Sequence, residues 1–475
     1  MPQNDAPPNS SRRSRRRARG PRPRAIVHSD ALARSAGLAR SLSFIRWAAI
    51  GPVLLIATLA SVSAAEPAAA EHPLSFALAL RTAREQSPLL AAYQSQLDAD
   101  RAVLEVDEGY KNPEVSLEVE DFLGSGVARR LDSTQATVAL SQELQLGGKP
   151  ARRLDVKRAQ QGISRWEQRL ARQRLEADVA LAFLAVLAQQ QRLENAKEMA
   201  RLADETLTVV RFQVEAGRAT PIEADKASIA RSLVDLSLEE AQRSLLATRQ
   251  SLAATCGAHE IFFDHVLGDL DALPDLPAKA SLAGRIDQHP AVQTESARAR
   301  YQHAMIALEE SQSVPDLTVS LGLRWLNATR DRAVVAGLAI GLPVVDRTRG
   351  LVSAARHLER KASQLAAQER LTRERSQQTA YHRLAAAHRR ASVLTREVHP
   401  KVQETYRAVR DGYRLGRFGY LDLLDAQAAL FQIQEQALEA RVTYHQSFIE
   451  LAREAALPLP TALFDAPVRP QETPQ

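Results

Sequence analysis

From Pro150 to Glu215 the chain runs without an internal proline, and only Gly162 interrupts a helix-favouring composition. Residues 351–415 repeat the feature, interrupted by Pro400 and Gly412. A helix of about 65 residues would be roughly 100 Å long at about 1.5 Å per residue, which no compact domain can use. Apolar residues recur along it at three-four spacing: Ile163, Trp166 and Leu170, then Leu193, Ala196, Ala200, Ala203, Leu207, Val210 and Val214. These stripes are narrow and rich in alanine, as in coiled-coil seams. The fold must therefore accommodate two long rods that pack along narrow stripes.

The rods belong to a duplication. "EQSPLLAAYQ" from Glu85 answers "DQHPAVQTES" from Asp287, and "KNPEVSLEVE" from Lys111 answers "SVPDLTVSLG" from Ser313. Pro88 and Pro290 are 202 residues apart, as are Pro113 and Pro315, while Gly217 and Gly416 are 199 apart. The sequence divides into residues 65–256 as a first repeat, a linker at 257–280, and residues 281–457 as a second repeat. A Pro-rich tail at 458–475, expected to be disordered, follows. Each repeat reads helix, strand, strand, long helix, turn, helix. Its first helix is expected to end near Pro113 or Pro315, because a proline pushes the preceding residue out of the helical region.

Strands are expected at about 114–144 and 315–344. Val115, Leu117 and Val119 alternate with Ser116, Glu118 and Glu120. Leu317, Val319, Leu321, Leu323 and Trp325 alternate with Thr318, Ser320, Gly322 and Arg324. Val334, Ala336, Leu338, Ile340 and Leu342 share one face of the last strand, and Val138 and Leu140 give a weaker pattern in the second. Period-two alternation means one apolar and one polar face. Two readings fit equally: a half-buried sheet covered by helices, or a membrane barrel wall with its apolar face toward lipid and its polar face toward a lumen. An elongated coiled-coil scaffold does not explain strand pairs inserted at the same place in each repeat.

Charge excludes a nucleic-acid-binding body. The net +6 arises from residues 1–64, which hold 11 of the 62 basic and 2 of the 56 acidic residues, so the remainder carries 51 basic against 54 acidic. Residues 1–64 combine "SRRSRRRARGPRPR" with the apolar run "WAAIGPVLLIATLASVSA". They read as a basic N-terminal extension and a signal peptide cleaved after Ala64. The single cysteine, Cys256, makes no intramolecular disulfide and supplies no lipid-attachment site at that cleavage point. No His pair has metal-ligand spacing, no catalytic constellation is evident, and no cofactor is expected.

Four strands cannot close a membrane barrel, because an open edge in lipid leaves backbone groups unsatisfied. If the strands lie in a membrane, the chain must oligomerise. Two chains would give a barrel of eight strands that side chains fill, whereas three give twelve strands and a lumen. At this point the motifs become specific. "SPLL" and "HPAV" open the repeats, and "NPEVSLEVE" and "VPDLTVSLG" mark the helix-to-strand junctions. "LSQELQLGGKP" carries Gly147 and Gly148 at a strand-to-helix bend, "LPDLP" (273–277) lies in the linker, and "YRLGRFGYLDLLDAQAAL" forms a hairpin tip. In this order they resemble the TolC-like outer membrane factors over most of residues 73–457. "SQELQLGGK" is most similar to the CzcC-type heavy-metal branch. The resemblance implies a mainly α fold with a membrane β-barrel: a homotrimer with a twelve-stranded outer-membrane barrel on a long periplasmic helical barrel. It also implies no enzymatic activity. The chain would be the exit duct of a tripartite efflux system, working with a periplasmic adaptor and an inner-membrane resistance–nodulation–division pump and exporting divalent heavy-metal cations. A drug-efflux or type I secretion duct is the near alternative. A periplasmic coiled-coil adaptor is the alternative from another class, although it typically has one hairpin rather than two.

The resemblance also implies roles for the tips, at about 216–221 and 416–420. Asp422 and Asp425, three residues apart on one helix face, match the carboxylates that charge the periplasmic constriction, and a ring of such groups attracts cations. The first tip holds Glu223 and Lys226 in the same columns, so a Lys226–Asp425 contact across hairpins is conceivable. Gly217, Gly416 and Gly419 are the turn residues, and Arg218 and Arg417 are candidate adaptor-docking residues. A bland alternative for Asp422 is a first-turn acid favoured by the helix dipole, worth roughly 0.3–1 kcal/mol.

Overall fold

The structure, a computed structural model, describes residues 72–106, 109, 111–126, 131–282, 284–342, 348–459 and 464. The expected signal segment and most of the Pro-rich tail lie outside the described residues. The first repeat begins with a two-residue strand β1 (Pro73–Leu74), then α1 (Phe76–Gln86) and α2 (Pro88–Glu105). The hairpin β2 (Glu114–Glu120) and β3 (Gln135–Leu144) follows, then α3 (Lys149–Glu215) and α4 (Pro221–Thr255). After the short strand β4 (His265–Val266) and helix α5 (Lys279–Leu282), the second repeat contains α6 (Pro290–Ser311) and the hairpin β5 (Leu317–Leu326) and β6 (Asp331–Ile340). It ends with α7 (Thr348–Val393), α8 (His399–Arg414) and α9 (Tyr420–Glu454).

α3 is the expected rod, 67 residues long and hence about 100 Å. The equivalent rod in the second repeat is α7 and α8 joined through a π-helical turn at Leu394–Val398. Pro400 therefore does not break the helix. The His399 N–H reaches back five residues to the Leu394 carbonyl, and this widened turn accommodates the donor that proline lacks. Gly412 is also carried inside α8.

The single helix expected at the start of the first repeat is two helices. The Ser87 N–H closes α1 on the Ala83 carbonyl, and its hydroxyl caps α2 by accepting from the Leu90 N–H. α2 then stops at Glu105, well before Pro113. Glu105 in the last turn opposes the negative helix C-terminus, and no basic residue in that turn offsets it. α6 ends at Ser311, close to Pro315 as expected.

The principal core lies midway along the rods. Phe76 from α1, Phe183 from α3 and Phe464 stack with centroids 4.4–5.4 Å apart. β1 pairs in parallel with β4 beside them. The linker lies across α9, whose Tyr444 hydroxyl donates to the Pro274 carbonyl, whose Arg441 pairs with Asp271 and whose buried His445 Nε2 meets the Leu270 carbonyl. On one side of this core, α2 packs on α3, α3 on α6 and α6 on α7. On the other, α4 packs on α3, α3 on α9 and α9 on α8.

Candidate channel wall and entrance

The four long strands form one antiparallel sheet in the order β2-β3-β5-β6. Opposed residues place Val115, Leu117 and Val119 beside Leu140, Val138 and Ala136. These continue onto Leu321, Leu323 and Trp325, and then onto Ala336, Val334 and Arg332. The result is one continuous apolar face. It is open: Val115 is 70% exposed, Leu321 60%, Val334 71% and Leu338 76%. The reading as a half-buried sheet covered by helices therefore fails. β3, β5 and β6 have 10 residues each, the length a tilted strand needs to cross a bilayer. Among the described residues no helix is long and apolar enough to cross a membrane.

The opposite face is polar and tight. It carries Glu114, Glu118, Glu120, Thr137, Glu143, Ser320 and Arg324. Arg324 Nε donates to Thr137 Oγ1 at 2.9 Å, and its guanidinium lies 3.6 Å from Glu120. A Cβ at Gly322 would stand 2.7 Å from the Val138 carbonyl oxygen, and one at Gly337 2.6 Å from Ser320 Oγ.

The sheet is tied to the rods at one end. Gly147 (φ +71°) and Gly148 (φ +70°) turn the chain from β3 into α3, with Gly147 seated against Val314. Lys149, at the first position of α3, is buried, and its Nζ donates to Asp316 Oδ1 at 2.7 Å. The same oxygen accepts from the Leu146 N–H at 3.0 Å. Burial works to raise the pKa of Asp316, but the Lys149 and Leu146 hydrogen bonds and the charges of Lys149 and Lys111 outweigh it, and the carboxyl titrates below its ordinary value. Pro113 and Pro315 lie in the irregular segments just before β2 and β5. The Lys149–Asp316 pair was not anticipated from the sequence. Its members are 167 residues apart, and only the register of the duplication could have suggested it.

At the far end the two tips are built alike. In the first, the Arg218 N–H bonds the Gln213 carbonyl and the Gly217 N–H bonds Val214. In the second, the Arg417 N–H bonds Gly412 and the Gly416 N–H bonds Tyr413. Both are Schellman closures, which require a left-handed residue at the glycine, and Gly217 and Gly416 have φ of +70° and +73°. The next helix then starts with an acid at its third position. Glu223 Oε1 accepts from the Thr220 hydroxyl at 3.3 Å, and Asp422 Oδ2 accepts from the Gly419 N–H at 2.9 Å. The bland reading of Asp422 as a helix-start residue is thus part of its role.

Asp422, Asp425, Lys226, Arg218 and Arg417 are exposed. Lys226 and Asp425 form no ion pair among the described residues. Glu223 differs: it is half-buried beside a tyrosine cluster. Tyr413 and Tyr420 pack with centroids 6.5 Å apart beside Tyr406, Leu423 and Val210. Desolvation raises the pKa of both, and the Glu223 carboxylate adds to the shift. Gly412, an interruption in the helical sequence pattern, holds a contact. The Phe418 ring lies against it so closely that no Cβ fits.

The pattern of the outer membrane efflux protein family matches residues 79–258 and 285–455, well over half of the chain. The chain belongs to this family. Its membership, rather than any missing motif, makes it an efflux protein and not an enzyme. A cobalt-zinc-cadmium resistance protein, CzcC of Cupriavidus metallidurans, is 36% identical over 222 residues, covering 46% of this chain and 53% of that protein. A nickel-cobalt-cadmium resistance protein, NccC of Alcaligenes xylosoxydans xylosoxydans, is 28% identical over 192 residues, covering 40% of this chain and 42% of that one. The matched region spans about half the length of these curated relatives. The crystal structure of CusC, studied for folding and transmembrane channel formation, superposes with a TM-score of 0.67. It does so at 16% identity over 81% of this chain and 93% of that one, which shows a shared fold.

Proposed function

We propose that this efflux-family chain is the outer-membrane exit duct of a tripartite system that exports divalent heavy-metal cations. In this reading it is a homotrimer whose three sheets close into a twelve-stranded barrel above a periplasmic helical barrel. A signal peptide within residues 1–64 sends it there, and a periplasmic adaptor and an inner-membrane resistance–nodulation–division pump feed it. The two repeats, 65–256 and 281–457, each supply one strand pair and one long hairpin.

The observation that carries the reading is the sheet, which has an uncovered apolar face and two unpaired edges, β2 and β6. In lipid such edges must pair, and in water such a face is a large association surface. The helices are open on the same flanks. α2 exposes Leu89 and Val103, with Val106 just past its end, and α7 exposes Leu351, Leu358 and Leu365 at seven-residue spacing. Toward the tips α4 exposes Ile222, Ile229 and Leu236, also seven apart. Heptad seams of this kind seek partner helices, and second copies of the chain supply them. The cargo rests on the metals named for CzcC and NccC.

At the tips, three copies would set Asp422 and Asp425 around one axis, with Glu223 recessed behind them against the tyrosines. This arrangement would favour cation entry. Arg218 and Arg417, on the exposed turns, would meet the adaptor. The experiment for cargo is deletion of the gene followed by challenge with zinc, cobalt, cadmium and several hydrophobic drugs. Metal sensitivity restored by the gene is expected. Sensitivity to drugs alone would overturn the metal assignment in favour of a drug-efflux duct.

A further inference from the structure

The apolar face of the sheet contains one charged side chain. Along the rungs from Val115 to Ile340, the residues sharing this face are apolar except Gln142 and Arg332. Arg332 sits at the end of the sheet remote from the helices. It is directly opposite Trp325 on β5 and one rung beyond the Leu323–Val334 pair. The contrast with the sheet's other arginine is informative. Arg324 is on the polar face and is held by Thr137 and Glu120. Arg332 is exposed and has no hydrogen-bonding or acidic partner among the described residues. Its neighbour Asp331 is on the opposite face, across from Leu326.

An arginine at the middle of a lipid-facing wall is strongly unfavourable, whereas at the interface the penalty nearly vanishes. There the aliphatic stem stays in the apolar layer while the guanidinium reaches the headgroups. Tryptophan prefers the same depth. The guanidinium fork matches the oxygens of a phosphate and can donate two parallel hydrogen bonds to it. We infer that Arg332, beside Trp325, forms a lipid-phosphate site on the outer rim of the barrel, one per chain, that takes the phosphorylated headgroup of an outer-leaflet lipid. The inference rests on the membrane-barrel reading, which alone places this rung at the outer interface. Arg332 is a positioning contact for the barrel in its leaflet and takes no part in the passage of cargo.

The test uses the full-length protein in detergent, as wild type, Arg332→Gln and Arg332→Lys. Each is mixed with intact lipopolysaccharide or with phosphatase-treated lipopolysaccharide, and bound glycolipid is counted by native mass spectrometry. Intact glycolipid should bind the wild type about fivefold more tightly than Arg332→Gln, Arg332→Lys should fall between them, and phosphate removal should erase the difference. Equal binding by all three variants, or a difference that survives phosphate removal, overturns the inference. Conductance in planar bilayers is recorded on the same samples. A wild type that conducts but shows no dependence on Arg332 fails the lipid site alone, whereas a wild type that never inserts fails the barrel reading.

Discussion

Replacing Asp316 with alanine tests whether the sheet is fixed to the rods as the structure shows. The carboxylate accepts from the Lys149 ammonium at 2.7 Å and from the Leu146 N–H at 3.0 Å. Lys149 is only 5% exposed, so the substitution strands a buried ammonium and a backbone donor together. Removing one member of a buried pair costs about 3–5 kcal/mol. The Asp316 side chain is 26% exposed, and water entering the site would lower the cost to about 3 kcal/mol. Lys149→Met alone leaves Asp316 hydrogen-bonded to Leu146 and partly solvated, and should cost less. The double variant removes the stranded charge and should be more stable than Asp316→Ala, with a coupling of about 1.5 kcal/mol or more. Equilibrium denaturation of the detergent-solubilised protein gives the four free energies, and hydrogen exchange at Leu146 gives the local one. The native carboxyl binds its proton more weakly than the unfolded one, so its contribution is complete above the unfolded pKa and is lost as pH falls through the ordinary aspartate range and below. That acid slope should flatten in Asp316→Ala. Additive single variants with unchanged Leu146 exchange would refute the reasoning.

Four further variants have outcomes set by the same geometry. Asp425→Asn should leave stability unchanged while raising conductance and weakening block by divalent cations in planar bilayers. Asp422→Ala should do both and also lose about 1 kcal/mol, since it removes the bond to the Gly419 N–H, and unchanged traces in both would remove these residues from the entrance. Ala456, with φ +49°, closes α9 through the same bonds that Gly257 uses to close α4, so Ala456→Gly should raise stability by about 0.5–1 kcal/mol in thermal unfolding. Burial lowers the His445 pKa to about 4, so between the ordinary histidine value and about 4 the unfolded chain binds a proton that the native one does not. Stability should fall by about 3 kcal/mol as pH drops across that window, and His445→Gln should remove this part of the slope.

The rods, the strand pairs and the tip glycines were legible because each is a local periodicity or a fixed backbone requirement. Alternation alone could not say what covers the sheet; the register and the open faces of Val115, Leu321 and Leu338 decide against a helical cover. The tips showed their carboxylates but not their difference. Glu223 is half-buried and its charge acts on Tyr413 and Tyr420, which come from 190 residues or more along the chain, whereas Asp422 turns back on its own helix start. The π-helical turn before Pro400 was invisible because a proline in a helical pattern announces a break, whereas the widened turn carries the helix past it. The linker's seat on Arg441, Tyr444 and His445 is a long-range contact with no periodic signal.

The central claim is that β6 of one copy pairs with β2 of the next. Cys256 is buried, and desolvation pushes its thiol up to about 11, so a Cys256→Ser background should give a silent reference. Cysteines placed singly at Val115, Leu117 or Val119 and combined with one at Val334, Ala336 or Leu338 can then be oxidised in outer membranes and read on non-reducing gels. The account predicts that at least one register gives inter-chain disulfides in a ladder that stops at three copies. Monomers at every register, from a protein that purifies in water without detergent, would contradict it.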